Sequence, residues 1–335
     1  MSAESIHPTP TKERHPTPES ERLTHAMPRS FFGAPLCENL DELSARVALL
    51  GVPYDFGTII PHLRTGSSQG PDAIRDTGTY PFSYFDLETG EEAPGWFDVE
   101  DEEEYLKGVT MADCGNVSIM GGAVEDNLDR ITRTVERIVA RDALVAAVGG
   151  DHSISFPVGR GMERYEEVDV VHFDAHHDFS DQVNGSKYSH GSQLRRLSEL
   201  PFVRNITMIG LRRCGKKVYQ EAIARDVNIV TSRKLIADGA VEAVEKSVRP
   251  SRFLYVSIDT DVLDVGLVPG TCLPEPEGIP YQLLRQALWE VCKKGRIVGF
   301  DVVELSPPHD FSGVSARVAS WLLVHFLSAI TASQE

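Results

Sequence analysis

The chain has 335 residues, enough for one or two domains with a sizeable core, and its apolar content of 41% and charged content of 25% are ordinary for a globular protein. A formal net charge of -17 argues against a nucleic-acid partner, which would need a basic surface. Five cysteines without a CxxC pair argue against a thiolate zinc site and a disulfide framework. Because we find neither an apolar run of about 18 residues nor a secretory signal, we expect a cytoplasmic protein with no membrane partner.

Residues 1–32 are predicted to form a flexible N-terminal arm that precedes a single globular domain over residues 33–335. The arm is rich in Pro, Ser, Thr, Glu and His, and "HPTP" occurs in it twice, at His7 and at His15. Such a composition can bury little apolar surface. An alternative to a free arm is a strap that crosses onto a neighbouring subunit.

The globular part begins near Arg46 and alternates apolar strands with helical patterns. A first strand, "RVALLGVPYD", is followed by a short helix in "PDAIRDTG". An acidic segment over residues 86–108 comes next, and then a possible strand in "VTMADCGNV". From Ala123 onward a helical pattern leads into a series of strands: "ALVAAVGGDHS", "VDVVHFDAHHD", "ITMIGLRR", "VNIVTS", "FLYVSIDTDVLD" and "RIVGFDVVEL". Strands rich in Val and Ile that alternate with helices predict an α/β fold whose mainly parallel sheet is covered on both faces.

Polar residues follow four of these strands, and ligands of open α/β sheets collect at the carboxyl ends of the strands. Asp174, His176 and Asp178 are two residues apart from one another, so they share a face if the extended conformation persists, and Asp259 and Asp261 repeat the step. With His152, these residues supply four carboxylates and two imidazoles, and four carboxylates cannot all stay ionised together without compensation. The set predicts two divalent metal ions, with Mn²⁺ favoured over Zn²⁺ because oxygen ligands dominate, and with Ni²⁺ and Co²⁺ as alternatives.

Six motifs occur in order along the chain: "GGDHS" (Gly149–Ser153), "DAHHD" (Asp174–Asp178), "GSKYSHG" (Gly185–Gly191), "SIDTDVLD" (Ser257–Asp264), "PGTCLPEPEG" (Pro269–Gly278) and "DVVELSPPHD" (Asp301–Asp310). Together with "GVPYD", "GPDAIR" and "DCGNV", they resemble the ureohydrolase family of arginases, agmatinases and guanidinobutyrases. The "GSKYSHG" motif is similar to that of the agmatinase-like branch. The resemblance extends from Val47 to the C-terminus.

This resemblance implies a three-layer α/β/α fold with a central, mostly parallel eight-stranded sheet, and a binuclear metal centre that hydrolyses a guanidino or amidino carbon. It assigns one metal to His152, Asp174, Asp178 and Asp259, and the other to Asp174, His176, Asp259 and Asp261, with Asp174 and Asp259 bridging the two. His190 matches the family histidine of proton transfer, Glu304 matches the glutamate that binds the guanidinium, and Asp178 could accept a hydrogen bond from an attacking hydroxide. A homo-trimer or hexamer is also implied.

Three positions depart from the family pattern. His177 replaces a residue inside the second motif, Val265 replaces a proline, and Leu273 replaces a polar threonine that usually faces the substrate. Leu273 makes agmatine less certain and favours a smaller or more apolar guanidine. We therefore expect a small cationic guanidino substrate (guanidinobutyrate, agmatine, free guanidine or an N-alkylated guanidine) and the release of urea.

Several residues and alternatives stay open at this point. His177 is predicted to support the site or to pack rather than to bind metal, and His172 is predicted to be a satisfied core histidine. Arg212 and Arg213 could form an interface ion pair or contact substrate. The alternatives to a urea-releasing enzyme are a formimino hydrolase that acts on an amidine, and a non-catalytic subunit of a hetero-oligomer with a paralogue.

Overall fold

The computed structural model describes residues 30–77, 83–85 and 92–334, with the side chains of residues 83–85 and 92–94 left out. Residues 1–29 of the predicted arm lie outside the described residues. The last residues of the predicted arm are packed: Phe31 is fully buried and Phe32 is 7% exposed. Phe31 is held because its ring lies 4.0 Å from the Arg75 guanidinium.

The described chain contains twelve strands and nine α-helices. The strands are β1 (Val47–Val52), β2 (Ser83–Phe85), β3 (Glu92–Pro94), β4 (Trp96–Asp98), β5 (Glu103–Tyr105), β6 (Met111–Asn116), β7 (Leu144–Gly149), β8 (Val168–Phe173), β9 (Val203–Leu211), β10 (Asn228–Thr231), β11 (Phe253–Asp259) and β12 (Arg296–Val303). The helices are α1 (Gly70–Asp76), α2 (Val124–Val139), α3 (Ser155–Arg160), α4 (Gln193–Leu197), α5 (Lys216–Ala224), α6 (Ser232–Asp238), α7 (Ala240–Ser247), α8 (Tyr281–Cys292) and α9 (Val314–Ser333).

Eight of the strands form one sheet in the order β10-β9-β8-β11-β12-β7-β1-β6, and every neighbouring pair is parallel. The four strands β8, β11, β12 and β7 are adjacent at its centre. Because parallel strands point the same way, their carboxyl ends meet at one place on the sheet edge. The acidic and histidine motifs lie at the carboxyl ends of these same four strands.

Helices cover both faces of the sheet, which confirms the predicted three-layer α/β/α fold. Along β1, Val47 and Leu49 join the core beneath α1, α6, α7, α8 and α9, while Ala48 and Leu50 join the core beneath α2, α3, α4 and α5. All six residues of β1 are buried. Burial on both faces explains why the strands read as continuous apolar runs instead of alternating patterns.

Helix α9 is the longest helix and is apolar enough, by length and composition, to cross a membrane. Its best window has a mean hydropathy of 1.4, and 72% of that window is buried inside the protein. Phe326 of α9 packs edge-on against Phe300 of β12, with ring centroids 4.8 Å apart. The sequence analysis did not predict this window. The helix packs as a core helix against the sheet.

A buried ion pair fastens the first described residues to the outer edge strand, β6. The Arg75 guanidinium donates to both carboxylate oxygens of Asp113, at 2.9 Å each, and Asp113 also accepts the backbone N–H of Phe31 at 2.9 Å. Arg75 donates further to the side-chain oxygen of Asn116 at 2.6 Å. These residues belong to the "GPDAIR" and "DCGNV" motifs, so both motifs serve to hold the start of the domain against the sheet edge.

Candidate metal centre

The chain bends sharply at the end of β8, which corrects the expectation that Asp174–Asp178 stay extended. The strand ends at Phe173 because carboxylates take the next backbone N–H groups: Asp261 accepts that of Ala175 at 3.1 Å, and Asp174 accepts that of His176 at 2.5 Å. Asp178 has a φ of 44°, a left-handed conformation that is unusual for a residue with a side chain. Backbone of this kind concentrates at functional sites.

One cluster of candidate ligands converges on His152. Its Nδ1 atom has a carboxylate oxygen of three different acids within hydrogen-bonding distance: Asp174 at 3.1 Å, Asp178 at 3.1 Å and Asp259 at 3.0 Å. All four side chains are at least nine-tenths buried. These are the four residues predicted to hold the first metal, and the structure brings them together.

The opposite nitrogen of His152 is held by a relay of buried polar groups from neighbouring strands. Nε2 lies 2.8 Å from the Ser257 hydroxyl, and Ser257 in turn donates to Asp301 at 2.9 Å. Asp301 also accepts the Tyr255 hydroxyl. A histidine fixed in this way through one nitrogen presents the other nitrogen to a metal in a defined orientation.

A second cluster lies beside the first and shares Asp174 with it. His176 Nδ1 is 2.9 Å from Asp261 Oδ2 and 3.4 Å from Asp174 Oδ1, the oxygen that does not face His152. Asp259 was also expected to bridge. One of its oxygens faces His152, and the other accepts the backbone N–H of Asp261 at 2.8 Å.

Burial and the neighbouring carboxylates act against ionisation of Asp259, one of the clustered acids. Burial, followed by the charges of Asp261 and Asp174, raises the pKa of Asp259 well above its ordinary value. Among the described residues, Asp174 Oδ2 has no hydrogen bond of acceptable geometry although it is fully buried. Two crowded groups of carboxylate oxygens and imidazole nitrogens match the ligands of divalent cations of the Mn²⁺ type. The residues therefore fit the implied metals.

Two residues outside the predicted ligand set reach the clusters. His172 was predicted to be a satisfied core histidine; instead its Nε2 lies 3.0 Å from Asp174 Oδ2, because residues 172 and 174 share a face of the chain. Glu275 is 8% exposed, and one of its oxygens lies 3.6 Å from His176 Nε2. That oxygen also pairs with Arg213.

The two arginines that follow β9 make contacts within the chain. Arg212 donates to the backbone carbonyls of Asp261 and, at 2.9 Å, of Val262, which fixes the loop after β11. Arg213 pairs with Glu275 while most of its own side chain is exposed. Neither arginine lines the cavity at the metal clusters.

A cavity of about 220 Å³ opens next to the two clusters. It is lined by Ile60, Leu63, His176, His177, Asp178, Ser180, Val183, His190, Gly191, Asp259, Asp261, Cys272, Leu273 and Glu304. Leu273 therefore faces the cavity, as expected. His177 lines it too, and its Nδ1 accepts the backbone N–H of Phe179 at 2.9 Å, so that nitrogen supports the bend after β8.

Glu304 and His190 form a charged pair at the cavity. Glu304 Oε1 is 3.2 Å from His190 Nδ1 and accepts the backbone N–H of His152 at 2.8 Å, and Oε2 accepts the Ser67 hydroxyl at 3.3 Å. Burial lowers the pKa of His190, but Glu304 outweighs it and raises that pKa to about 9. Glu304, like Asp178, has a left-handed backbone, with a φ of 64°. The site thus holds a buried, hydrogen-bonded carboxylate at the cavity.

Some residues of the site carried little signal in the sequence. Ile60 and Leu63 come from an irregular loop whose path depends on distant contacts, among them the hydrogen bond of Gly57 N to Asp151 at 2.6 Å. Ser257 could have been suspected, since it shares a face of β11 with Asp259.

The chain is similar to known proteins over most of its length. Residues 45–328 match the model of the arginase family. The guanidinopropionase of Pseudomonas aeruginosa is 31% identical over 331 residues, which cover 95% of this chain and 97% of that protein.

Solved structures have the same fold. The agmatine ureohydrolase of Thermoplasma volcanium superposes with a TM-score of 0.74 at 26% identity and covers 93% of this chain and 97% of its own. A formiminoglutamase of Trypanosoma cruzi, solved with Mn²⁺, has a TM-score of 0.73 at 22% identity and covers 90% of this chain and 97% of its own, which is a likeness of fold alone.

Proposed function

Because this chain belongs to the arginase family and is therefore a metal-dependent amidinohydrolase, we propose that it hydrolyses a small guanidino compound that has no charged tail, and that it releases urea. The observation that carries the proposal is the pairing of a buried carboxylate, Glu304, with apolar cavity walls beside the two clusters of candidate metal ligands.

We assign the two metals to the ligands predicted from the sequence: His152, Asp174, Asp178, Asp259, His176 and Asp261. These residues would hold a pair of divalent cations, Mn²⁺ in first place and Ni²⁺ in second, which would supply Lewis acidity and bring the pKa of water towards neutrality. Glu275 lies near His176 Nε2, and Ser257 lies near His152 Nε2. Each contact orients its imidazole so that Nδ1 faces the candidate metal ligands.

The chain's own residues bind and orient the substrate and move its proton. Glu304 accepts N–H groups of the guanidinium, a charge-assisted contact in a water-poor pocket. His190 stands beside Glu304, which raises the pKa of this imidazole to about 9 in the metal-free chain, so His190 can donate a proton to the departing nitrogen. Positioning is needed because resonance makes the guanidinium carbon a poor electrophile, and a fixed geometry lowers that barrier.

The cavity walls argue for the substrate class. Of the described residues that line the cavity, Ile60, Leu63, Val183 and Leu273 are aliphatic, and none is a lysine or an arginine that could bind a substrate carboxylate. The acids among these described lining residues are candidate metal ligands or Glu304, so that part of the chain offers no further carboxylate for a distant ammonium group. Free guanidine and N-alkylated guanidines match such a cavity better than guanidino acids or agmatine.

Urea release tests this proposal. Protein reconstituted separately with Mn²⁺ and Ni²⁺ is assayed with guanidine, N-methylated and N,N-dimethylated guanidine, agmatine, 4-guanidinobutyrate and arginine. We expect the highest kcat/KM for guanidine or an alkylated guanidine. A tenfold preference for agmatine or guanidinobutyrate would contradict the substrate class, and formamide from an amidine in place of urea would contradict the reaction.

We also propose a cytoplasmic location and assembly as a homo-trimer or hexamer, or as a hetero-oligomer with a paralogue. All five cysteines are unpaired, which supports a reducing compartment. Light scattering of the purified protein measures the assembly.

A further inference from the structure

Two cysteines lie next to each other where the start of the domain meets the sheet edge. Leu36 forms a parallel bridge with Asp113, through hydrogen bonds from Cys37 N to Asp113 O at 2.8 Å and from Asp113 N to Pro35 O at 2.9 Å. The next residue on each segment is a cysteine, Cys37 on one and Cys114 on β6. Neighbouring positions on paired parallel segments direct their side chains to the same side of the sheet.

The packing of the two side chains agrees with this register. Cys37 and Cys114 both pack against the same hydrophobic core, the one beneath α2. Burial, and after it the neighbouring Cys37 thiol, raises the pKa of the Cys114 thiol to about 12. Both residues are only partly buried, so small reagents can reach them.

The segment that carries Cys37 is held in place by contacts that do not involve sulfur. Asp113 accepts the backbone N–H of Phe31 and hydrogen bonds from Nε and Nη2 of the buried Arg75 guanidinium, and the Phe31 ring lies against Arg75. Cys37 is therefore kept opposite Cys114. Cα atoms of facing residues on adjacent strands lie about 4.8 Å apart, inside the range of roughly 4.4–6.8 Å that a disulfide spans.

We propose that Cys37 and Cys114 are a modification site: a thiol pair that a peroxide converts into an intramolecular disulfide, which ties the start of the domain to its edge strand. One thiol sulfur takes an oxygen from the peroxide, whose O–O bond breaks and releases water. The second sulfur displaces that oxygen, and a second water leaves as the S–S bond forms. The two thiols lose two electrons and two protons in all, and hydrogen peroxide accepts the electrons.

Thiol counting tests the pair on the full-length protein with its metals bound. Reduced protein is treated with hydrogen peroxide, quenched, denatured and labelled with N-ethylmaleimide, and its intact mass is measured. We expect five labels before oxidation and three after it, with recovery of all five on treatment with dithiothreitol. Proteolysis without reduction should yield one pair of linked peptides that contain Cys37 and Cys114.

Variants separate this pair from the other thiols. Cys37→Ser and Cys114→Ser should each keep every remaining thiol after peroxide, while the matched control Cys214→Ser, which removes another partly buried cysteine, should still lose two. The oxidised parent should also unfold at a higher temperature than its reduced form, because the bond closes a long loop. Five labels after oxidation, or linked peptides from any other pair, would overturn the proposal, and the peptide map of the parent decides this even where a variant does not fold.

Discussion

Replacing Glu304 by Gln is expected to remove most of the affinity for the guanidinium in the transition state. Gln has the same shape, and its amide oxygen can still accept the backbone N–H of His152, which Glu304 accepts at 2.8 Å. The substitution therefore removes the negative charge while the fold and the strained backbone of residue 304 are kept.

The size of the effect follows from the burial of this carboxylate. Glu304 is 3% exposed, so solvent screens its charge little, and breaking a buried, hydrogen-bonded charge pair costs about 2–4 kcal/mol. Since a factor of ten corresponds to about 1.4 kcal/mol, kcat/KM should fall roughly 30- to 700-fold.

The assay is initial-rate urea release with the best substrate of the panel, on protein whose metal content has been measured. Glu277→Gln is the matched control, because the same chemical change falls on a side chain that is 79% exposed, and its kcat/KM should equal that of the parent. If Glu304→Gln kept two ions per chain and a kcat/KM within threefold of the parent, the role given to Glu304 would be wrong.

Three further substitutions test other parts of the account. Glu275→Gln should speed the loss of one of the two ions to a chelator by about 10- to 100-fold, because His176 loses the carboxylate that orients it; metal retained at the parental rate would contradict this. Leu273→Thr should raise the ratio of kcat/KM for agmatine over methylguanidine, and an unchanged ratio would remove Leu273 from specificity. Burial, and then the charge of Arg285, lower the pKa of His325 to about 4, whereas the unfolded chain titrates near 6.5. Neutral, buried His325 therefore contributes fully to the free energy of unfolding above the unfolded pKa, and this contribution, at most about 3 kcal/mol, is lost as the pH falls towards 4. The free energy of unfolding of His325→Gln, measured with urea, should therefore depend less on pH across this window than that of the parent.

The layered fold and the ligand clusters could be predicted because both follow from local pattern. A strand buried on both faces, such as β7, reads as one apolar run in any context, and the strands of a parallel sheet end on the same side. His152 and Asp174 each follow such a run directly, so their meeting required only the correct order of strands.

What the sequence left open depends on contacts between distant segments. The bend after β8 arises because Asp261, in the turn after β11, accepts the N–H of Ala175, and no local pattern predicts that bond. The same holds for Glu275, which reaches His176 only because its loop folds back over the site, and for Ile60 and Leu63 in the cavity wall. His172 was assigned to the core because its burial was foreseen and its contact with Asp174 was not.

Metal analysis of the active protein tests the central claim most directly. Elemental analysis should find two divalent ions per chain, exhaustive chelation should abolish urea release, and added Mn²⁺ or Ni²⁺ should restore it. Undiminished turnover by protein that holds no divalent ion would contradict the account.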